Sequence, residues 1–84
     1  VLDGAYPNPF NPSTNIEFGL SDATDIQVIV YDIAGRQISK LAEGQYSKGF
    51  HSIVWDATKQ PSGIYFVKIS NDKESQTQKL MLIK

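Results

Sequence analysis

Apolar residues in this chain recur at every second position, in short runs roughly ten residues apart. No stretch of useful length carries them at the three- and four-residue spacing of a helix. Period two puts successive side chains on opposite faces of an extended backbone, so the chain is confined to strands that bury one face each. Ile16, Phe18 and Leu20 alternate with Glu17 and Gly19, and Ile26, Val28 and Val30 form the next such face. In that second run Ile29 and Tyr31 make the opposite face partly apolar too, which predicts a central strand. Asp32 to Arg36 reads as a hairpin loop in which Gly35 takes the positive φ that a tight loop demands. Ile38 and Leu41 then stand three apart, a break in period two that predicts a β-bulge near a sheet edge.

Gly44 and Gly49 are read as bracketing a turn-rich connection, after which His51, Ile53 and Trp55 resume the alternation. Asp56 to Gly63 is a loop, with Pro61, Ser62 and Gly63 at positions i+1 to i+3 of a type I turn. The β-branched and aromatic run Ile64 to Ile69 is a strand, Asn71 to Lys73 turns the chain, and Ser75 to Ile83 forms the last strand. A further short strand is expected around Leu2 to Tyr6. The fold class is therefore all-β: an immunoglobulin- or fibronectin-III-like sandwich of six or seven mostly antiparallel strands. Pro7, Pro9 and Pro12 lack amide donors, so Tyr6 to Pro12 cannot be a central strand. That segment is expected to be extended and polyproline-like, with Asn8 and Asn11 forming side-chain turns and Phe10 pinning it to the sandwich. Residues 1–14 are accordingly set apart as a Pro/Asn-rich entry segment, and residues 15–84 as the sandwich.

Eighty-four residues make one domain, near the lower end of sizes that fold alone. With no cysteine, neither a disulfide nor a thiolate metal site supplements the core. Eight basic and nine acidic residues give a net charge of −1, mixed along the chain. That balance offers neither the basic stripe that nucleic acid requires nor one for an anionic membrane. No apolar run approaches the roughly 18–20 residues that span a bilayer, so membrane insertion is not expected. The sequence begins at Val1 and shows no signal peptide, which suggests a piece of a larger or processed protein.

Chemistry finds little foothold. The single histidine, His51, shares a strand face with Ile53 and Trp55 and reads as a core or rim residue bonded to backbone. One histidine without cysteines makes no zinc site, and no Gly-x-Ser-x-Gly elbow accompanies it, so the chain is not expected to be an enzyme or to hold a cofactor. Asp22, Asp25 and Asp32 match no calcium loop and read as solvated turn residues, as do Asn71 and Asp72. Trp55 could offer an indole platform to a sugar, but a small sandwich needs a large hydrophobe at its centre and Trp55 fits that role. Asp56, directly after it, is placed to accept amide hydrogens of the Ala57–Gly63 loop.

Six motifs occur in register. They are Tyr6-Pro7-Asn8-Pro9-Phe10-Asn11-Pro12-Ser13-Thr14, the strand after it, Val30-Tyr31-Asp32 with Gly35-Arg36, His51-x-Ile53-x-Trp55-Asp56, Pro61-Ser62-Gly63-Ile64-Tyr65, and terminal Lys79-Leu80-Met81-Leu82-Ile83-Lys84. Together they resemble the C-terminal sorting domain of proteins exported by the type IX secretion system (type A), over residues 6 to 84. The style is also similar to the immunoglobulin-like domain of flagellar hook-capping proteins. The first resemblance implies a non-catalytic address label fused behind a larger cargo domain and read by the outer-membrane secretion machinery. It further implies later cleavage by a sortase-like peptidase or surface anchoring, with the cargo reaching the outer membrane, cell surface or medium. Recognition is then expected at Lys79, Leu80, Met81, Leu82, Ile83 and Lys84, with Gly63 and Tyr65 a second group, and strand addition at the last strand is one route. Pro7, Pro9, Phe10, Gly35, Trp55 and Asp56 are assigned structural roles. The rival readings are an assembly module of hook-capping type and a carbohydrate-binding or spacer domain of a secreted hydrolase.

Overall fold

The computed structural model describes residues 2–83. Seven strands follow one another: β1 (Leu2–Tyr6), β2 (Ser13–Leu20), β3 (Thr24–Asp32), β4 (Gln37–Tyr46), β5 (Gly49–Asp56), β6 (Gly63–Ser70) and β7 (Ser75–Leu82). They form a three-stranded sheet of order β1-β2-β5 and a four-stranded sheet of order β4-β3-β6-β7. All strand pairings are antiparallel, and the two sheets face each other as a sandwich. β1 and the first residues of β2 fall inside the stretch that the sequence set apart as an entry segment, and both are paired into the three-stranded sheet.

Alternation builds the core. Ile16 and Phe18 from one sheet meet Val28, Val30, Val67, Leu80 and Leu82 from the other, all essentially inaccessible to solvent. Each such side chain contributes about 1.5–3 kcal/mol on burial, which a chain this small needs from every strand. Aromatic rings occupy both ends of this layer. Phe10, Trp55 and Tyr65 pack in succession at one end, with centroids 5.6 and 5.3 Å apart. Phe18, Tyr46 and His51 pack at the other. No buried side-chain nitrogen or oxygen among the described residues lacks a hydrogen bond.

β3 is central, between β4 and β6, which explains its apolar second face. The irregular pairing of β4 lies where the sequence broke period two. The register passes from Val28↔Ala42 to Ile29↔Lys40 and from Val30↔Ser39 to Tyr31↔Gln37, so Leu41 and Ile38 are the extra residues of two bulges on an edge strand. Gly35, at φ 86°, closes the Asp32–Arg36 loop. Its amide donates to the Asp32 carbonyl at 3.0 Å.

Three local expectations are corrected. Gly44 does not open a turn: β4 runs through it to Tyr46, paired with Ile26, so the connection to β5 is only Ser47 and Lys48. The hydrogen-bonded turn of the Asp56–Gly63 loop is Ala57 to Gln60, where the Gln60 amide donates to the Ala57 carbonyl, and it precedes Pro61–Gly63. The Pro-rich segment is not an extended polyproline rod. It is a series of bends around a single parallel bridge from Phe10 to Leu82, because Phe10 follows its ring into the core instead of leaving it in water.

Candidate recognition surface

β7 is a sheet edge, and its alternation sorts the candidate residues into two classes. Leu80 and Leu82 point inward at 0% and 1% exposure, while Lys79, Met81 and Ile83 point out. Tyr65, opposite Leu80 on β6, is also buried. Its hydroxyl donates to the Pro61 carbonyl at 2.6 Å, the tyrosine-corner arrangement of β-sandwiches, and its ring meets Trp55 edge-on. Burial, and secondarily the nearby Asp32 carboxylate, raises the Tyr65 phenol above its ordinary pKa, so it stays a neutral donor. Gly63 sits opposite Leu82 with φ 152°, in partial exposure. Lys84 lies outside the described residues. A partner approaching the folded domain therefore meets Lys79, Met81 and Ile83, whereas Leu80, Leu82 and Tyr65 hold the strand in place.

The backbone edge of β7 is already occupied. Outward-facing groups from the Lys79 carbonyl to the Ile83 amide each have a partner in the Pro/Asn segment. Asn8 Nδ2 donates to the Lys79 carbonyl at 2.8 Å and the Met81 amide donates to Asn8 Oδ1 at 3.0 Å. The Phe10 amide donates to the Met81 carbonyl at 3.0 Å and the Ile83 amide donates to the Phe10 carbonyl at 2.9 Å. The side chain of Asn8 thus supplies what a neighbouring strand's peptide group would, and Phe10 supplies the next peptide group itself. The segment is fixed elsewhere as well. Thr14, 1% exposed, donates its hydroxyl to the Pro7 carbonyl at 2.7 Å, and the Ala57 amide donates to the Pro12 carbonyl at 2.9 Å. Strand addition at this half of β7 would have to displace these bonds and extract the Phe10 ring. Pro7 and Pro9 flank Asn8 on the exposed side, where a missing amide costs nothing. The sequence signalled the buried Phe10 but not the pairing of Asn8 with Lys79 and Met81, which joins residues more than seventy positions apart.

The other candidates are held within the framework of the fold. Trp55 is 3% exposed between Phe10 and Tyr65, so its indole offers no platform to a sugar. Asp56 accepts from the Thr58 amide at 2.9 Å and from the Thr58 hydroxyl, and these two bonds hold its carboxyl below the usual range. Asp32 accepts the Ala34 and Arg36 amides and pairs with the Arg36 guanidinium at 2.8 Å. The Arg36 amide bond is the largest cause of its lowered pKa. His51 stacks on Phe18 at 5.3 Å and its Nε2 donates to the Ser47 carbonyl at 2.8 Å, a half-buried rim residue. Among the described residues no three His, Asp or Glu side chains converge on a metal position. The shallow cleft between the β2–β3 and β6–β7 turns is lined by Asp22, Ile26, Asn71 and Asp72 together with neighbouring turn residues.

The family model described as a secretion system C-terminal sorting domain matches residues 4–84, nearly the whole chain. No curated protein matches it.

Proposed function

This chain belongs to the family of secretion system C-terminal sorting domains, and from that membership we propose how it serves as one. As a sorting domain of type IX secretion it is the address label of a secreted cargo, recognised by the secretion machinery and taken to the cell surface or the extracellular space. Such domains are in general non-catalytic. In our reading the folded sandwich is the recognised form, and the contact is made by Lys79 and Met81 of β7 and by Ile83 just after it, with Lys84 following them. Leu80, Leu82, Gly63 and Tyr65 contribute by fixing the strand. After translocation a sortase-like peptidase separates cargo from domain, and the cargo is released or anchored. The observation that carries this reading is the division of β7, with Ile83 just after it, into a buried Leu80–Leu82 side and an exposed Lys79–Met81–Ile83 side, within a domain whose family match covers residues 4–84.

The test is a periplasm-directed reporter carrying this chain at its C-terminus in a type IX host. The expected result is reporter outside the cell in a mass form that lacks the domain. Reporter retained in the periplasm, alongside a natural cargo that exports normally, contradicts the sorting reading. Reporter exported at full fused mass contradicts only the cleavage step.

A further inference from the structure

The two outer faces of the sandwich carry opposite charge. β1, β2 and β5 contain no lysine or arginine, and the outer positions of β2 and β5 present Glu17 and Asp56 beside Phe50 and Val54. The lysines within strands all belong to the other sheet: Lys40, Lys68 and Lys79. Register brings two of them together on its outer face. Lys79 lies opposite Phe66, which lies opposite Tyr31, and in the next row Lys68 lies between Thr77 and Ile29. Met81 and Ile64 form the row beyond Lys79. Met81 is 37% exposed, and Ile64, Phe66 and Tyr31 are partly exposed, so the centre of this face is apolar.

The cations on this face differ in their freedom. The Lys40 ammonium is held by Glu43 at 3.1 Å. Lys68 and Lys79 form no ion pair among the described residues. Asp25 and Glu43, the acidic groups of the outer face, stand toward the end of the sheet away from Met81. A domain of net charge −1 therefore collects two uncompensated positive charges beside an apolar, aromatic centre. Because Asn8 and Phe10 close the neighbouring edge of β7, a partner reaches this region through side chains rather than backbone pairing.

We infer that the outer face of the four-stranded sheet, centred on Phe66 and Met81 with Lys68 and Lys79 beside them, is where the folded domain docks on a protein of the secretion machinery. The complementary surface is apolar at its centre and carries carboxylates opposite the two lysines. Aromatic anchors desolvated at the centre supply affinity, and the lysines at the rim supply steering and orientation. This inference rests on the sorting reading above.

The test uses the same reporter fusion in a type IX host, with melting curves of each fusion. Lys68→Glu with Lys79→Glu is expected to melt as the unmodified fusion does and to lower exported reporter at least tenfold. Lys68→Arg with Lys79→Arg should export normally. If charge reversal disturbs folding, Lys68→Gln with Lys79→Gln replaces it with the same expectation. On the opposite face, Glu17→Lys with Val54→Ser should stay within twofold of the unmodified fusion. Normal export of the charge-reversed or glutamine form, or a block caused only by the opposite-face variant, overturns the assignment of this face. Binding of the purified domain to phosphatidylglycerol vesicles that both lysine variants abolish would put a lipid in place of the protein partner, and likewise overturns it. Failure of the unmodified domain to direct export is a different result, because it removes the sorting reading and this inference with it.

Discussion

Asn8 and Met81, 73 positions apart, are joined as if by a β-ladder: the Met81 amide donates to Asn8 Oδ1 at 3.0 Å while Asn8 Nδ2 donates to the Lys79 carbonyl. One side-chain amide thereby protects an edge that would otherwise offer itself to any passing strand. Asn8→Ala leaves an amide and a carbonyl to water at a rim where only Phe10 still pairs. A cost of about 1–2 kcal/mol is expected, and a melting point lower by roughly 4–8 °C for each kcal/mol lost. Faster hydrogen exchange at Met81, with Val28 unchanged, checks that the loss is local. Asn8→Asp should fall between the two, since it keeps the acceptor for Met81 but turns a carboxylate oxygen toward the Lys79 carbonyl.

Phe10 anchors the same segment from inside. Its ring is 2% exposed and tilted against Trp55 at 5.6 Å. Phe10→Ala should destabilise by about 3–5 kcal/mol, a large fraction of what a small domain has. Trp55 gives the readout. In the unmodified domain its emission should be blue-shifted and poorly quenched by acrylamide. In Phe10→Ala it should shift to the red and quench more readily while the fold persists. Unchanged quenching would mean that the segment is not what shields the indole.

The strands were legible because burial follows period two so directly. Ile16 and Phe18, Val28 and Val30, and Leu80 and Leu82 face the core at the alternation that their spacing announces. The bulges of β4 could be read because Ile38 and Leu41 break that spacing at an edge. What could not be read was pairing at a distance. Nothing near Asn8 in the chain announces that its amide matches the free edge of β7, since the match depends on how two sheets close around Phe10. Gly44 misled for a related reason. A glycine inside an edge strand looks locally like a turn, and only the partner strand's register decides. In sequence the candidate recognition residues form one continuous run, whereas the fold divides that run by side.

Gly35 isolates backbone strain from packing. It has φ 86°, and a Cβ built there meets no atom within 4 Å. Gly35→Val should therefore cost about 1–2 kcal/mol through conformation alone. Gly35→Asn should cost less, because Asn tolerates the left-handed region. Urea midpoints of the three proteins check the order, and equal midpoints would show that the loop re-forms around a different turn.

Asp32 makes the same loop sensitive to acid. Its folded-state pKa is lowered, chiefly by the Arg36 amide; desolvation opposes this, and the Arg36 guanidinium and the Ala34 amide add to the lowering. A depressed carboxyl stabilises the fold above its unfolded pKa of about 3.9 and loses that contribution as pH falls through the folded value. Asp56, lowered by Thr58, acts in the same direction. Urea midpoints should thus be flat from pH 7 to about 5 and fall below about 4. Asp32→Asn should start lower at pH 7 and lose less on acidification. An Asp32→Asn protein with the full acid response would assign that response to other carboxylates.

β7 allows folding and recognition to be separated, because neighbouring residues serve different ends. Leu80 is wholly buried, so Leu80→Ala opens a cavity and should cost about 2–5 kcal/mol. Met81, next to it, is 37% exposed and lies outside the core, so Met81→Ala should cost about 1 kcal/mol or less. If the machinery reads the folded sandwich, Leu80→Ala fails in export only as far as it is unfolded. Its export should return at lower temperature, in step with its melting curve. Met81→Ala should show the reverse, with near-normal melting and weakened export at every temperature. The pair of variants, followed as exported reporter against fraction folded between growth temperatures, gives two different curves on this account. Leu80→Ala exported poorly even where it is fully folded would mean that the buried side of β7 is itself read, which requires the strand to leave the sandwich before it is recognised.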